Sequence, residues 1–559
     1  MRGVIDTMEK ESILKHVRGK EWILLFLVSL GYILFFTECV PFFFDDHEFH
    51  RDYVATSYKD LTLQLFSLNK GGISDGPRPV YGFFFKTLFP FIGYNYCQWR
   101  AVKAVVFSIF IILFYFLAKN ILQRNGIAFL CTLFIMTLFP TFLQQFGYNG
   151  PHIFAELFKI SAILLFLYDL DRKKTSWLLQ AMIFFCSLGA IRIYSPAYSI
   201  AAILPVFTVL YGRKKIIRYL PLFFFILLIQ FPITFQLGAL SPDSTGTYSP
   251  KLINIKRFIT NDFWQNITNP IPTLELLYYK SVTDILTFFG FWLIVGCIFA
   301  LILIHIKKNN TPISVEEKDI HKEKTPEWQK RACILATLWF FSELPYYIFL
   351  PEHAIRYSFA MFIPFSLLVS LLIIAVKEKI QKGSKVVSGV IILLLFGTIL
   401  TNIVYVSAFR AGWGSSFFAF EKGMDYFAAE HNNKTIAVLY ASGAVAEEYF
   451  YINKSSNNYT FGMGITYIKS ISWENFNEET VADFKNVYDE VYVIKRITSL
   501  SKIGYPDVPL ENYNFLELET VLEGTDQNVL FDRIISWFVS HFGLSYEPNK
   551  IFIYKYVPD

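Results

Sequence analysis

The densest run of chemistry in the chain is Phe44, Asp45, Asp46, His47, Glu48, Phe49 and His50, directly after an apolar stretch. Three carboxylates and two imidazoles crowd against what reads as the end of a membrane span. An ionised carboxylate beside hydrocarbon is costly unless it pairs or works. Such a group can take a proton from a hydroxyl, hold a divalent cation through hard oxygen ligands, or accept from a sugar hydroxyl. The plainer reading is that Asp45 and Asp46 end the span and cap a helix beginning near Glu48, since aspartate is a favoured N-cap. Residue types alone do not separate the two.

Further candidates lie in the same loop and at the ends of later apolar stretches. GGISDGPRPVYG at 71–82 sets turns with Gly and Pro, and Arg78 within it offers a guanidinium fork suited to phosphate or carboxylate. Its plainer role is a surface arginine reaching lipid phosphate. His152, Glu156 and Lys159, then Arg192 and Tyr194, then Glu343, His353, Arg356 and Tyr357 recur where apolar stretches are expected to meet the outer water. Glu156 and Lys159 stand three apart on one expected helix and can simply neutralise each other. Their common depth favours a substrate cavity open to the outside over a polar file across the membrane. His47, Glu48, Glu156, Lys159, Arg192, Tyr194, Glu343 and Tyr357 would line it.

What must hold these groups is a membrane-embedded frame. Of 559 residues 54% are hydrophobic, 18% aromatic and only 17% charged, and mean hydropathy is +0.39. A soluble domain is roughly 45–50% apolar and about 25% charged, so much of this surface must face lipid, and a disordered or water-soluble chain is excluded. A net charge of +5 is too small to argue for a nucleic-acid partner. Stretches of about 20 apolar residues give eleven spans: 22–41, 99–118, 126–145, 153–168, 177–191, 196–211, 217–236, 282–306, 332–350, 355–376 and 386–408. With the N-terminus inside, the inner segments carry 25 Lys and Arg in 79 residues and the outer ones before the tail 11 in 121. That asymmetry sets the orientation by the positive-inside rule. Residues 1–21 are then cytoplasmic. The run that follows lacks a small-residue cleavage site and is too long for a signal peptide, so it stays as an anchor. The aromatic stretch 80–96, broken by Lys86, Pro90 and Gly93, is expected to lie on or dip into the outer surface.

Residues 22–408 thus form the transmembrane domain, with 42–98 as its first outer loop, and 409–559 a separate outer domain. In that tail charges become frequent and short β-rich runs appear at 435–440, 490–496 and 551–557, with helical patterns between them. The alternation suggests a small α/β domain. It contains no glycine-rich phosphate loop, and the chain has no internal repeat. All six cysteines lie in or beside spans, so no disulfide framework or zinc cluster is readable.

Three separated pieces resemble the GT-C superfamily of integral-membrane glycosyltransferases, among which protein O-mannosyltransferases and lipid A aminoarabinose transferases stand nearest. FDDHEF at 44–49 looks like the acidic motif after their first span, with Asp46 in place of a usual Glu. The segment 77–105 is similar to their later first-loop sequence at Arg78, Pro79, Gly93 and Arg100. HAIRYSFAMFIPF at 353–365 resembles the Arg-Tyr followed by Pro of a late span, at Arg356, Tyr357 and Pro364. Order and expected membrane side agree for all three. The usual Lys-Pro-Pro-type sequence reads Arg78, Pro79, Val80 here, and no acceptor-specific motif is recognisable, which leaves donor and acceptor identity open.

The resemblance implies an α-helical polytopic membrane protein of about eleven helices with a C-terminal extracytoplasmic α/β domain. Its activity would be inverting sugar transfer from a polyprenyl-phosphate donor to an extracytoplasmic glycan, lipid or protein. Asp45 would be the general base and Asp46 its assistant, while Arg78, Arg356 and His353 would bind the donor phosphate. The resemblance fixes no cofactor and leaves metal dependence open; a divalent cation, magnesium or manganese, would be held by Asp45 and Asp46 if any. A transporter, flippase or polymerase of lipid-linked saccharide is the alternative. Transporters usually carry repeats and charges near the midplane, neither of which is evident. The absence of long Ser/Thr-rich or retention segments leans towards a bacterial plasma membrane.

Overall fold

The structure, a computed structural model, describes residues 20–36, 56–66, 79–93, 96–138, 151–193 apart from 173 and 175, 199–236, 327–349, 359–379, 435–440, 465–470, 477–497, 510–523 and 550–558, with a few isolated positions between. The helices are α1 (Glu21–Phe36), α2 (Tyr58–Phe66), α3 (Pro79–Ile92), α4 (Tyr96–Leu122), α5 (Asn125–Thr137), α6 (Pro151–Asp171), α7 (Trp177–Ile193), α8 (Ser199–Tyr211), α9 (Ile216–Gln236), α10 (Glu327–Phe349) and α11 (Phe359–Lys379). Most are apolar around their circumference rather than on one stripe, the pattern of helices with no water-facing side.

Within α4, Gln98–Leu122 is long and apolar enough to cross a membrane alone; α1, α3, α5, α7, α8 and Phe359–Ala375 are shorter apolar helices. Large apolar side chains lie on the outside of the bundle: Leu27 and Phe35 on α1, Phe185 on α7, Ile217 and Phe224 on α9. A water-facing surface does not carry such a belt; a lipid-facing one does. At 14 residues α3 is about 21 Å long, short of the roughly 30 Å of a hydrocarbon core. Gly93, at φ +58, ends it in the left-handed region that glycine occupies without strain. The Trp99 indole donates to the Gly93 carbonyl at 2.9 Å, fixing the turn into α4.

Consecutive helices pack side by side, α6 on α7 and α10 on α11, while α1 lies on α4 and α8 against α10. Gly189 lets α7 approach α6, since a Cβ there would sit 3.0 Å from the Phe158 ring. At the end of the bundle where α6 stops, Asp169 is fully buried. Its Oδ1 accepts from the Ser176 backbone N–H at 2.9 Å and its Oδ2 from the Tyr219 hydroxyl at 2.6 Å. Lys215 donates to the carbonyls of Asp169 at 3.1 Å, of Leu170 at 2.6 Å, and of Arg172. It is a cation on the last carbonyls of a helix, where the macrodipole is negative. Arg331 Nη1 meets Asp171 Oδ1 at 2.6 Å.

The C-terminal region contains a five-stranded mixed sheet: β1 (Ile436–Tyr440), β2 (Ile465–Ser470), β3 (Glu490–Ile497), β4 (Leu516–Glu523) and β5 (Lys550–Tyr556), in the order β2-β1-β3-β5-β4. β1 runs parallel to β2 and β3, and β5 lies antiparallel between β3 and β4. Strand alternation divides the apolar residues: Ala437, Leu439, Val491, Val493, Tyr554 and Tyr556 pack with Val481 of α12 (Glu478–Lys485). Ile436, Val438, Tyr492, Ile494 and Ile553 occupy the other face and are also buried. Three of the strands fall on the β-rich runs at 435–440, 490–496 and 551–557.

Candidate functional site

The end of the bundle opposite Asp169 is built by a layer of aromatic and apolar side chains from consecutive segments. Phe85 of α3 stacks on Trp99 of α4 with centroids 4.6 Å apart, and Tyr81 and Phe84 of α3 meet Phe154 of α6 at 5.3 and 4.7 Å. Ala155 of α6 and Ile193 of α7 complete the cluster. Tyr58 of α2 stacks on Phe83 of α3 at 6.0 Å, and Arg100 of α4 donates to the carbonyl of Leu34 near the end of α1. The described residues bracketing the acidic segment, the end of α1 before it and α2 after it, are therefore tied to the same end as the first turns of α6 and the last turn of α7.

Two turns into α6 lies a cluster of charge with no access to solvent. Lys159 Nζ is 2.6 Å from Glu156 Oε1 and 2.5 Å from Glu343 Oε1 of α10, with side-chain exposures of 0, 1 and 2% for Lys159, Glu156 and Glu343. Glu343 Oε1 also accepts from the Ser199 hydroxyl at 2.6 Å and from the Trp339 indole N–H at 3.1 Å. The Lys159 ammonium stands 5.8 Å from the Trp339 ring centroid, a cation over a π face. Helices α6, α8 and α10 are thus pinned to one another through one ammonium.

Two carboxylates surround a single cation here, and their outer oxygens are not satisfied. Glu156 Oε2 and Glu343 Oε2 are buried without a hydrogen-bond partner among the described residues. A buried carboxylate oxygen left in that state forfeits the bond that offsets its desolvation. His152, one turn before Glu156, and Arg192, in the last turn of α7, are largely buried. The arrangement can accept a proton or hydrogen bonds from a polar ligand at the two open carboxylate oxygens.

Of the residues singled out in the sequence, the structure brings Glu156, Lys159 and Glu343 into contact and places His152 and Arg192 on the neighbouring helix ends. Lys159 bridges two carboxylates rather than only neutralising Glu156. The three groups are enclosed in the bundle instead of facing open solvent. Asp45, Asp46, His47, Glu48, Arg78, Tyr194, His353, Arg356 and Tyr357 lie outside the described residues. Sequence inspection passed over Ser199 and Trp339. Trp339 had a readable signal, four residues before Glu343 on one helix, whereas Ser199 had none. Among the described residues no group of three or more His, Cys, Asp or Glu is placed to hold a metal ion.

No protein-family model matches the chain, and no curated protein matches it in sequence. Among solved structures, the crystal structure of ArnT from Cupriavidus metallidurans bound to undecaprenyl phosphate is similar over 97% of this chain and 99% of its own, at 9% identity and a TM-score of 0.45. At that identity and score nothing about this chain's site or substrate follows from the likeness.

Proposed function

We propose that the chain is a polytopic membrane glycosyltransferase of GT-C type that moves a sugar from a polyprenyl-phosphate carrier to an acceptor hydroxyl or amine on the outer side. The observation that carries this reading is the shared position of two features. The helices flanking the acidic segment 44–50 are tied by aromatic packing and Arg100 to the bundle end that encloses Glu156, Lys159 and Glu343. Supporting it are the positive-inside asymmetry, the lipid-facing belt and the three motif resemblances.

In this reading Asp45 takes the acceptor's proton as the acceptor atom bonds to the anomeric carbon. The bond from that carbon to the carrier phosphate breaks, and the polyprenyl phosphate leaves with the electron pair. A carboxylate of ordinary basicity suffices, because the proton moves late, once the glycosidic bond has largely broken. Arg78, Arg356 and His353 stabilise the charge growing on the phosphate oxygen. Asp46 assists in binding the acceptor, and the single displacement inverts the anomeric configuration. Glu156 and Glu343, with open acceptor oxygens, receive hydrogen bonds from the sugar when the enclosed cluster opens to it.

Purified full-length protein in nanodiscs, offered a panel of labelled polyprenyl-phosphate sugars, tests the reading. Wild type is expected to transfer or release sugar, and Asp45→Asn to lose about 10²–10⁴-fold of that rate while keeping its thermal transition. Full activity in Asp45→Asn, or a product of retained configuration, removes Asp45 as base of a single displacement. Failure to consume any donor, with movement of lipid-linked saccharide across a proteoliposome, makes the chain a transporter.

A further inference from the structure

A second polar site lies at the other end of the bundle. Asn120, Ile121 and Gln123 at the end of α4, Leu167 and Asp171 at the end of α6, Phe207 of α8, and Glu327, Trp328, Arg331, Ala332 and Leu335 of α10 line a cavity of about 210 Å³. That is below the 300–1,000 Å³ or so of a drug-sized pocket and suits a small polar group. Its depth follows from α4. The apolar run Gln98–Leu122 measures roughly 37 Å at about 1.5 Å per residue, longer than a hydrocarbon core of about 30 Å. Asn120–Gln123 therefore stand at headgroup level, on the side the positive-inside asymmetry assigns to the cytoplasm.

The lining combines apolar side chains with both signs of charge. The Arg331 guanidinium lies 5.5 and 5.9 Å from the Phe207 and Tyr211 ring centroids, held by Asp171 through Nη1. Its Nε and Nη2 make no hydrogen bond among the described residues, so part of a pre-set fork remains to be used. Glu327, one turn before Arg331 on the same face of α10, also lines the cavity, exposed and unpaired among the described residues. Gln123 is held at φ 49 in the left-handed region, where glycine is the ordinary occupant, and its side chain lines the cavity. The Gln123 backbone N–H donates to the Lys119 carbonyl at 3.1 Å, the bond of a left-handed helix end, which fixes the residue at the cavity wall.

We propose that this cavity is a headgroup site for a zwitterionic phospholipid bearing a primary amine, the phosphoethanolamine class. The free side of the Arg331 fork takes a phosphate oxygen. The ammonium donates to Glu327 and Asp171, and the Trp328 indole and the Asn120 and Gln123 amides close the rim. A trimethylated amine has no N–H to give and fits a carboxylate less closely, so the site distinguishes ethanolamine from choline headgroups. The inference rests on membrane embedding, not on sugar transfer, and Asp45→Asn touches none of its residues.

The test is native mass spectrometry of the full-length protein in micelles containing phosphatidylethanolamine, phosphatidylcholine and phosphatidylglycerol with identical acyl chains. Wild type is expected to retain phosphatidylethanolamine about fivefold over phosphatidylcholine, the scale of one exposed charge pair. Glu327→Gln, an exposed change that leaves folding contacts intact, is expected to bring the two to parity. Gln123→Gly, which relaxes the backbone while removing the amide, is expected to weaken retention of phosphatidylethanolamine. Equal retention of the two lipids by wild type, stronger retention of phosphatidylglycerol, or a preference unchanged in Glu327→Gln overturns the proposal. Soluble glycerophosphoethanolamine as competitor separates the sources: displacement of bound lipid supports headgroup recognition, and binding of the soluble compound where the lipid is not retained overturns the membrane source.

Discussion

Asp169 and Glu156 lie on the same helix, about 20 Å apart along its axis, and both are buried. Around Asp169 both carboxylate oxygens accept from a fixed donor, and Lys215 beside it covers three terminal carbonyls of α6. Around Glu156 one ammonium is shared between two carboxylates, and an oxygen of each is left open among the described residues. Both sites hold charge in an apolar bundle, where an uncompensated group is costly. One is closed by donors from the turn after α6 and from the segment of Lys215 and Tyr219, as a helix terminus requires. The other, near the start of α6, retains acceptor capacity that packing among the described residues does not use. Sites with that kind of surplus are where ligand or proton chemistry is expected.

The largest effect that separates the two ends comes from removing the shared cation. Lys159→Met leaves two carboxylates facing each other without compensation and is expected to cost about 3–5 kcal/mol, read as the denaturation midpoint in detergent. Adding Glu156→Gln and Glu343→Gln to it removes the buried charge altogether and is expected to recover most of that loss, with sugar transfer still abolished. A triple variant that is stable and fully active would make the cluster a packing device and erase the contrast with Asp169.

At the Asp169 end, Tyr219→Phe deletes the hydroxyl that Oδ2 relies on. A hydrogen bond to a charged group is worth about 1.5–3 kcal/mol, so a loss in that range is expected, with transfer by the folded fraction unchanged. Ser199→Ala at the other end should cost less, about 0.5–1.5 kcal/mol, because Glu343 Oε1 keeps Lys159 and Trp339 as donors. The kinetic outcome is expected to reverse that order. Ser199→Ala should raise KM or lower kcat by reorienting Glu343, and Ser199→Thr should restore it. Reduced transfer in folded Tyr219→Phe, or none in Ser199→Ala, would show that the sites are not divided as proposed.

How much of this was readable from residues depends on the range of each contact. Glu156 and Lys159 were visible as a pair because helical spacing puts them on one face. The third member, Glu343, was visible only as a polar residue at a similar expected depth, since the bond joining it to Lys159 spans 184 residues. The strands at 435–440, 490–496 and 551–557 carried the β-branched and aromatic runs that fit a sheet buried on both faces. Neither their order nor the antiparallel insertion of β5 between β3 and β4 is written in any local pattern. The apolar run 153–168 stops just before Asp169, yet α6 continues to Asp171. A charge closed by Tyr219 and Ser176 belongs inside a helix end as readily as outside it. Lys215, counted only as one of the inner basic residues, caps that end.

The smallest effect expected is at Asp171, which pairs with Arg331 in the open, at 51 and 28% side-chain exposure. Exposed ion pairs contribute about 0.2–1 kcal/mol, so Asp171→Asn should shift the midpoint by no more than that and lose even this difference at high salt, where surface pairs are screened. Arg331 keeps its place over Phe207 and Tyr211 by stacking, which does not depend on ionic strength in the same way. The same salt titration on Lys159→Met should leave its deficit almost unchanged, because screening ions do not reach groups with 0–2% exposure. A large, salt-independent cost for Asp171→Asn would mean that the Arg331 pair belongs with the enclosed cluster in kind.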